Sequence, residues 1–243
     1  MTNKIEIRDL CKSFGSKVVL NNLNLDVKEK ESLVILGKSG SGKSVLIKNI
    51  STLMNPDSGS IKVDGQEIIN LKEADKFKLM NKFGYLFQGG ALFDSISVWE
   101  NVAFKLLNNE KMNRKKAKDI AIEKLSIVDL DESIADLSPA ELSGGMQKRV
   151  SLARAICLNP EIIFFDEPTT GLDPITSETI NNLIVKTVKI VGATAITITH
   201  DIHSARVISD RIVLLNEGKI CWEGDKNTID TTNNELVRKF LVK

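Results

Sequence analysis

Apolar and polar positions alternate near the start of the chain. Ile5 and Ile7, and then Leu23, Leu25 and Val27, are separated by single polar residues. That period of two predicts half-buried antiparallel strands. The run Leu33-Val34-Ile35-Leu36 is continuously apolar, as expected of a strand covered on both faces. A Gly-rich turn follows it, then a helical stretch over 45–53, before Pro56-Asp57-Ser58-Gly59 breaks the chain and a strand resumes over 61–63. Further strands are expected over 83–87, stopping at Gln88, over the apolar run 162–165, and over 194–199. Between them, 99–130 has a helical and highly charged pattern. Strands 212–215 and 219–222 flank Asn216-Glu217-Gly218, a good hairpin turn. Strands alternating with helices predict an α/β fold with a mostly parallel sheet. From Asp225 the chain is polar, ending in an apolar-periodic stretch over 236–241.

A length of 243 residues suits one large α/β domain, or a domain with an inserted subdomain. A formal net charge of +1 argues against a dedicated nucleic-acid binder, so no nucleic-acid partner is expected. No apolar run approaches the roughly 18 residues that span a bilayer, so any membrane role is expected to lie with a partner. The opening MTNKIEIRDL reads as a strand and lacks the apolar core of a secretory signal. Cys11, Cys157 and Cys221 are far apart, which suits reduced thiols in a cytosolic protein.

The turn after the first doubly buried strand carries specific chemistry. Gly37-Lys38-Ser39-Gly40-Ser41-Gly42-Lys43-Ser44 fits the phosphate-binding pattern G-x-x-x-x-G-K-[ST], between a buried strand and a helix. Its glycines let backbone N–H groups point inward at phosphate, and the helix adds its positive end. Lys43 is expected to reach the β- and γ-phosphates and Ser44 to ligate Mg²⁺. Asp166 and Glu167 end the strand 162–165. Asp166 there can hold Mg²⁺ through water and Glu167 can orient the attacking water. Taken alone, the pair would equally serve as an acidic cap, with Pro168 starting the next helix.

Leu142-Ser143-Gly144-Gly145-Met146-Gln147 opens a helix-like stretch over 148–157. It resembles the LSGGQ signature of ABC ATPases, in which Ser143 and the N–H groups of Gly144 and Gly145 would cap the helix and offer donors to a γ-phosphate. The resemblance runs from about residue 4 to 222. It implies a P-loop NTPase with a RecA-like core, an antiparallel β-subdomain and a helical subdomain at roughly 90–158. The whole chain is then a single nucleotide-binding domain over 1–243, with a tail at roughly 225–243. Phe14 resembles the aromatic residue that stacks on adenine, where the family more often has Tyr. Gln88 sits where a glutamine meets the γ-phosphate and Mg²⁺, Gly171-Leu172-Asp173 resembles the D-loop, and His200 the switch histidine. The resemblance also implies a homodimer with composite sites, ATP on one subunit meeting the Ser143 signature of the other. His203 has no role in the family.

The segment Phe87-Gln88-Gly89-Gly90-Ala91-Leu92-Phe93-Asp94-Ser95, continuing to Val98-Trp99-Glu100-Asn101-Val102, narrows the resemblance. It is similar to the FQxGALFDSLTVxENV segment of the ATPases of Mla/Mce/TGD lipid-transport systems. Met146 in the signature and the Val237–Leu241 ending also look like that group. Such systems pair two ATPases with integral-membrane permeases and an MCE-domain substrate-binding protein, at the cytoplasmic face of the bacterial inner membrane. The stretch 88–102 is the expected permease dock, with Phe93 and Trp99 each either a contact or a core aromatic. The chain has no room for the coiled coil of a DNA-repair ATPase and holds one cassette where translation-factor ATPases carry two. An importer subunit for ribonucleotides, amino acids or ions is the rival reading.

Overall fold

The computed structural model describes residues 2–241. In chain order the elements are β1 (Asn3–Phe14), β2 (Lys17–Lys28), β3 (Ser32–Leu36), α1 (Lys43–Ile50), β4 (Ser58–Val63), β5 (Gln66–Glu67) and α2 (Glu73–Asn81). They continue with β6 (Phe83–Leu86), α3 (Val98–Val102), α4 (Phe104–Asn108), α5 (Arg114–Ile127), α6 (Gly144–Ala155), β7 (Ile162–Asp166) and α7 (Pro174–Val191). The last are β8 (Thr194–Thr199), α8 (Ile202–Ile208), β9 (Arg211–Asn216), β10 (Lys219–Gly224) and α9 (Glu235–Leu241). Contacts divide the chain into two compact units, residues 1–80 with 194–243, and residues 81–193. The first unit is therefore discontinuous in sequence. Among the described residues no helix is long and apolar enough to cross a membrane.

The first unit holds two groups of strands. An antiparallel sheet runs β2-β1-β4-β5, with Ile5 opposite Val27 and Ile7 opposite Leu25. The period of two seen in sequence puts Ile5, Ile7, Leu23, Leu25 and Val27 inside. β3 instead lies between two parallel neighbours, β8 and β9, and all five of its residues are buried. β10 returns antiparallel to β9 across Glu217 and Gly218, both at positive φ, as a type I′ hairpin requires. The expected break at 56–59 is shorter than the sequence suggests, since β4 already starts at Ser58. A Cβ on Gly59 would lie 2.7 Å from the carbonyl oxygens of Arg8 and Asp9, so glycine here serves close strand pairing.

The second unit pairs β6 with β7 in parallel, Phe83 opposite Ile162 and Leu86 opposite Phe165. Helices α3, α5 and α6 pack on one another beside it. The stretch 99–130, helical throughout in its pattern, is in fact three helices. The chain reverses after α4, with Lys111 at positive φ, and the Asn113 side chain caps α5 by accepting from the Lys115 N–H at 2.9 Å.

Candidate active site

Two strand registers place the chemistry. In the first unit Leu36 of β3 lies opposite Thr199 of β8. Gly37 and His200, the next residue on each strand, therefore emerge side by side at the carboxyl ends of a parallel pair. In the second unit Leu86 lies opposite Phe165, so Asp166-Glu167 and Gln88 emerge from a second such pair. Open α/β sheets bind ligands at that edge.

The phosphate loop is built by its glycines. Gly40 and Gly42 take φ values of 78° and 107°, and a Cβ on Gly42 would come within 2.9 Å of the Val19 carbonyl. Gly37 is closed to a side chain by the Leu215 carbonyl at 2.6 Å. α1 begins at Lys43, two residues before the sequence pattern turns apolar, and ends at Ile50 ahead of Thr52 at φ 60°. No side chain caps it. A helix start without a side-chain cap suits an outside acceptor such as phosphate. Lys43 is buried and its ammonium donates to the carbonyls of Gly37 at 2.7 Å and Lys38 at 3.3 Å. The Ser41 hydroxyl is buried with no hydrogen-bond partner, and Ser44 is exposed at the helix start. Lys38 and Ser39 are exposed on the loop. An uncapped helix start, an orphaned hydroxyl and a lysine curled over the loop are what a triphosphate with its metal would complete.

Phe14 ends β1 with its ring 49% exposed. Exposure of this order leaves part of the residue accessible to a ligand. The Lys12 ammonium lies 5.7 Å from the ring centroid. Asp57 holds that strand end, accepting from the Ser13 N–H at 2.6 Å and the Lys12 ammonium at 2.7 Å. The Lys12 bond, then that N–H, hold its carboxyl below the usual carboxylate range.

In the second unit Glu167 is buried and sits at φ 48°, a costly conformation for a residue with a side chain. The Thr170 hydroxyl donates to its carboxylate at 3.3 Å. The acidic-cap alternative fails, because the next helix starts at Pro174 and its cap is Asp173. Asp173 accepts from the N–H groups of Ile175 and Thr176 and from the Thr176 hydroxyl at 2.5 Å. That hydroxyl bond, then the Thr176 N–H, lower its proton affinity. Its placement gives Asp173 a capping role that the D-loop resemblance did not include.

Ser143 caps α6, its hydroxyl accepting from the Met146 N–H at 3.3 Å, while Ser143 and Gly144 stay exposed. A Cβ on Gly145 would lie 2.9 Å from the Thr176 methyl, so this glycine lets the starts of α6 and α7 meet. Gln88 and His200 are both exposed. Of the two aromatics open to either role, Trp99 is core: it is only 6% exposed, with Arg114 5.0 Å and Lys118 5.9 Å from its ring centroid. Phe93 is 44% exposed and stacks on Phe104 at 4.6 Å. Sequence reasoning missed Lys148, Ser151 and Arg154 altogether. These side chains of α6 grip the backbone of the loop carrying Gln88.

The fold and these loops define a P-loop nucleotide hydrolase whose phosphate loop and signature lie on separate units. The chain belongs to the ABC transporter family, whose profile matches residues 20–170; it is an ABC-type ATPase that binds and hydrolyses ATP. It is 38% identical over 237 residues to the probable ribonucleotide transport ATP-binding protein mkl of Mycobacterium leprae, covering 98% of this chain and 68% of that one. Against the intermembrane phospholipid transport system ATP-binding protein MlaF of Haemophilus influenzae it is 38% identical over 239 residues, covering 98% of this chain and 90% of that one. A solved ATP-binding cassette, captured as a dimer in a post-hydrolysis state with ADP and Pi, superposes with a TM-score of 0.83 at 34% identity. That match covers 91% of this chain and 98% of the cassette.

Proposed function

We propose that this chain energises the movement of phospholipid between membranes, as a homodimer beneath a membrane permease at the cytoplasmic face of a bacterial inner membrane. One observation carries the choice of cargo. At equal identity, the chain spans 90% of the phospholipid ATPase but 68% of the ribonucleotide one. The 87–102 segment and the Val237–Leu241 ending add to it. Drawing a lipid from a bilayer removes apolar chains at about 0.8 kcal/mol per CH₂, a cost that calls for coupling to ATP.

In this reading Phe14 stacks on adenine, and the Gly37–Ser44 loop with the start of α1 holds the phosphates, Lys43 neutralising the β and γ groups. Mg²⁺, when bound, supplies positive charge to the phosphate oxygens. Ser44, Asp166 and Gln88 would hold it. Glu167 orients the attacking water and takes its proton, and His200 meets the γ-phosphate. Ser143, Gly144 and Gly145 of one protomer face the nucleotide of the other, with Asp173 beside them, so that bound nucleotide joins the dimer. The helices between 90 and 158 serve as the helical subdomain. The permease docks at the loop 88–97, beside a cavity of about 490 Å³ lined by Ile96, Phe104, Leu107 and Met112. An MCE-domain protein receives or delivers the lipid.

The test is to purify the intact complex from membranes, identify its ligand by mass spectrometry, and assay its ATPase with added lipid or ribonucleosides. Bound phospholipid and stimulation by lipid are expected. A lipid-free complex stimulated by ribonucleosides would establish the rival importer.

A further inference from the structure

We infer that Arg154, with Ser151 and Lys148, locks the loop carrying Gln88 to the signature helix, so that the glutamine serving one nucleotide and the signature serving the other move as one body. The inference rests on the composite-dimer reading given above.

The contacts are specific and numerous. Arg154 donates to the carbonyl of Ala91 at 2.7 Å and to that of Gly90 at 2.5 Å. The Ser151 hydroxyl is shared between the Gly90 carbonyl at 3.0 Å and the Gln147 carbonyl of its own helix at 2.9 Å, and the Lys148 ammonium donates to the Gln88 carbonyl. These three donors recur every three residues along one face of α6. The loop is shaped to receive them. Gly90 and Ala91 both take positive φ, 74° and 50°, and a Cβ on Gly90 would lie 2.9 Å from the Ser151 hydroxyl. Downstream, the fully buried Asn101 binds both the N–H and the carbonyl of Phe93, and the carbonyls of Ile96 and Ser97. The segment 88–97 is thus fixed at both ends to helices of its own unit.

Arg154 is a costly choice for a purely structural clamp. Burial lowers its proton affinity with no carboxylate to offset the loss, and its charge goes to two peptide carbonyls and, 6.0 Å away, the face of Phe93. Burial likewise lowers the proton affinity of Lys148, against the pull of Asp166. The same 12-residue helix begins at the Ser143 cap. Arg154 lies about 16 Å along it from Ser143 at 1.5 Å per residue. A displacement of the signature, when it meets the partner's nucleotide, is therefore carried down α6 to the glutamine of its own site. Arg154 is a positioning residue. Its contacts are to the carbonyls of Gly90 and Ala91 and to the Phe93 ring.

The test compares steady-state ATP hydrolysis by the full-length dimer for the wild type, Arg154→Met, Arg154→Lys, Ser151→Ala, Gln88→Ala and the Arg154→Met/Gln88→Ala double variant, with thermal unfolding alongside. Arg154→Met is expected to lower kcat roughly tenfold while leaving half-saturating ATP within about twofold. Its Hill coefficient should fall from the wild type's cooperative value to about 1. Arg154→Lys should keep the larger part of kcat, because one carbonyl stays within its reach. The double variant should be no slower than Gln88→Ala, within about twofold, since both changes break one device. If Arg154→Met unfolds, Ser151→Ala takes its place with the same expected signs. Multiplying losses in the double variant, a non-cooperative wild type, or unchanged cooperativity in Arg154→Met overturns the inference. Ser143→Arg separates the two readings. An ATP-dependent dimer of that variant sinks the composite site itself, whereas a monomer together with multiplying losses sinks the clamp alone.

Discussion

Replacing Asn101 by alanine should destabilise the chain more than any exposed substitution. Its side chain is fully buried, accepts from the Phe93 N–H at 2.7 Å, and donates to the carbonyls of Phe93 at 3.0 Å, Ile96 at 3.2 Å and Ser97 at 3.0 Å. Two of those carbonyls keep a second donor: Phe93 from the Ile96 N–H and Ser97 from the Asn101 N–H. The Phe93 N–H and the Ile96 carbonyl lose the side chain that meets them. Both groups lie on residues that are at most part-buried, where water can partly replace the amide, so each is worth the low end of about 1–3 kcal/mol and a total near 2 kcal/mol is expected. For a chain of this size that corresponds to a drop of roughly 4–8 °C in Tm. Differential scanning fluorimetry measures it directly, and a drop below about 3 °C would mean that the loop is held by something other than Asn101. Asn101→Asp adds a sign. Its carboxylate would face three carbonyls, so its folded pKa rises above the unfolded value of about 3.9. The native state then binds the extra proton, and the deficit against wild type should grow as pH rises from 4 towards 7.

Other outcomes follow from the site. Glu167→Gln should retain ATP binding, lose roughly 10²–10⁴ in turnover, and accumulate as an ATP-bound dimer on gel filtration; near-normal turnover would show that another group activates water. Lys43→Ala should weaken nucleotide binding, whereas Ser143→Arg should bind nucleotide normally and fail to dimerise, as equilibrium binding and light scattering can distinguish. Phe14→Ala should weaken ATP binding by 1–3 kcal/mol, about the worth of a stacked base, yet leave inorganic tripolyphosphate binding unchanged; equal losses for both ligands would remove Phe14 from the adenine site. Phe93→Ser should reduce permease capture with little change in Tm, while Trp99→Ser should lower Tm by itself, and the reverse pattern would exchange their roles.

The phosphate loop, the acidic pair and the signature were legible because their chemistry is local. Gly37 to Ser44 must bend in one way around phosphate whatever surrounds them, and the pattern carries that requirement. The doubly buried strands were legible for a related reason, since Leu33–Leu36 and Ile162–Phe165 leave no polar face for water. The sequence leaves Trp99 between contact and core, because two aromatics, Trp99 and Phe104, in a charged helical stretch form no pattern that places either. Only the structure shows Arg114 and Lys118 laid over its ring. Lys148, Ser151 and Arg154 carry no signal in the sequence, because their partners are backbone carbonyls about 60 residues earlier, which have no letter in it. The positive φ of Glu167 was equally invisible, for glutamate does not announce a left-handed backbone.

The interrupted first unit bears on how the protein is made. β1, β2, β4 and β5 are complete once residue 67 has been synthesised and can pair at once. β3 cannot. Both its partners, β8 and β9, lie beyond residue 193. At about 5–20 residues per second, the gap from Leu36 to Thr199 leaves it waiting roughly 8–30 s on the ribosome. During that interval Leu33-Val34-Ile35-Leu36 is an apolar strand with two unpaired edges, the kind of segment that nascent-chain chaperones shield and that drives aggregation when they do not. The nucleotide loop, which hangs from the end of β3, is therefore among the last parts of the chain to take shape.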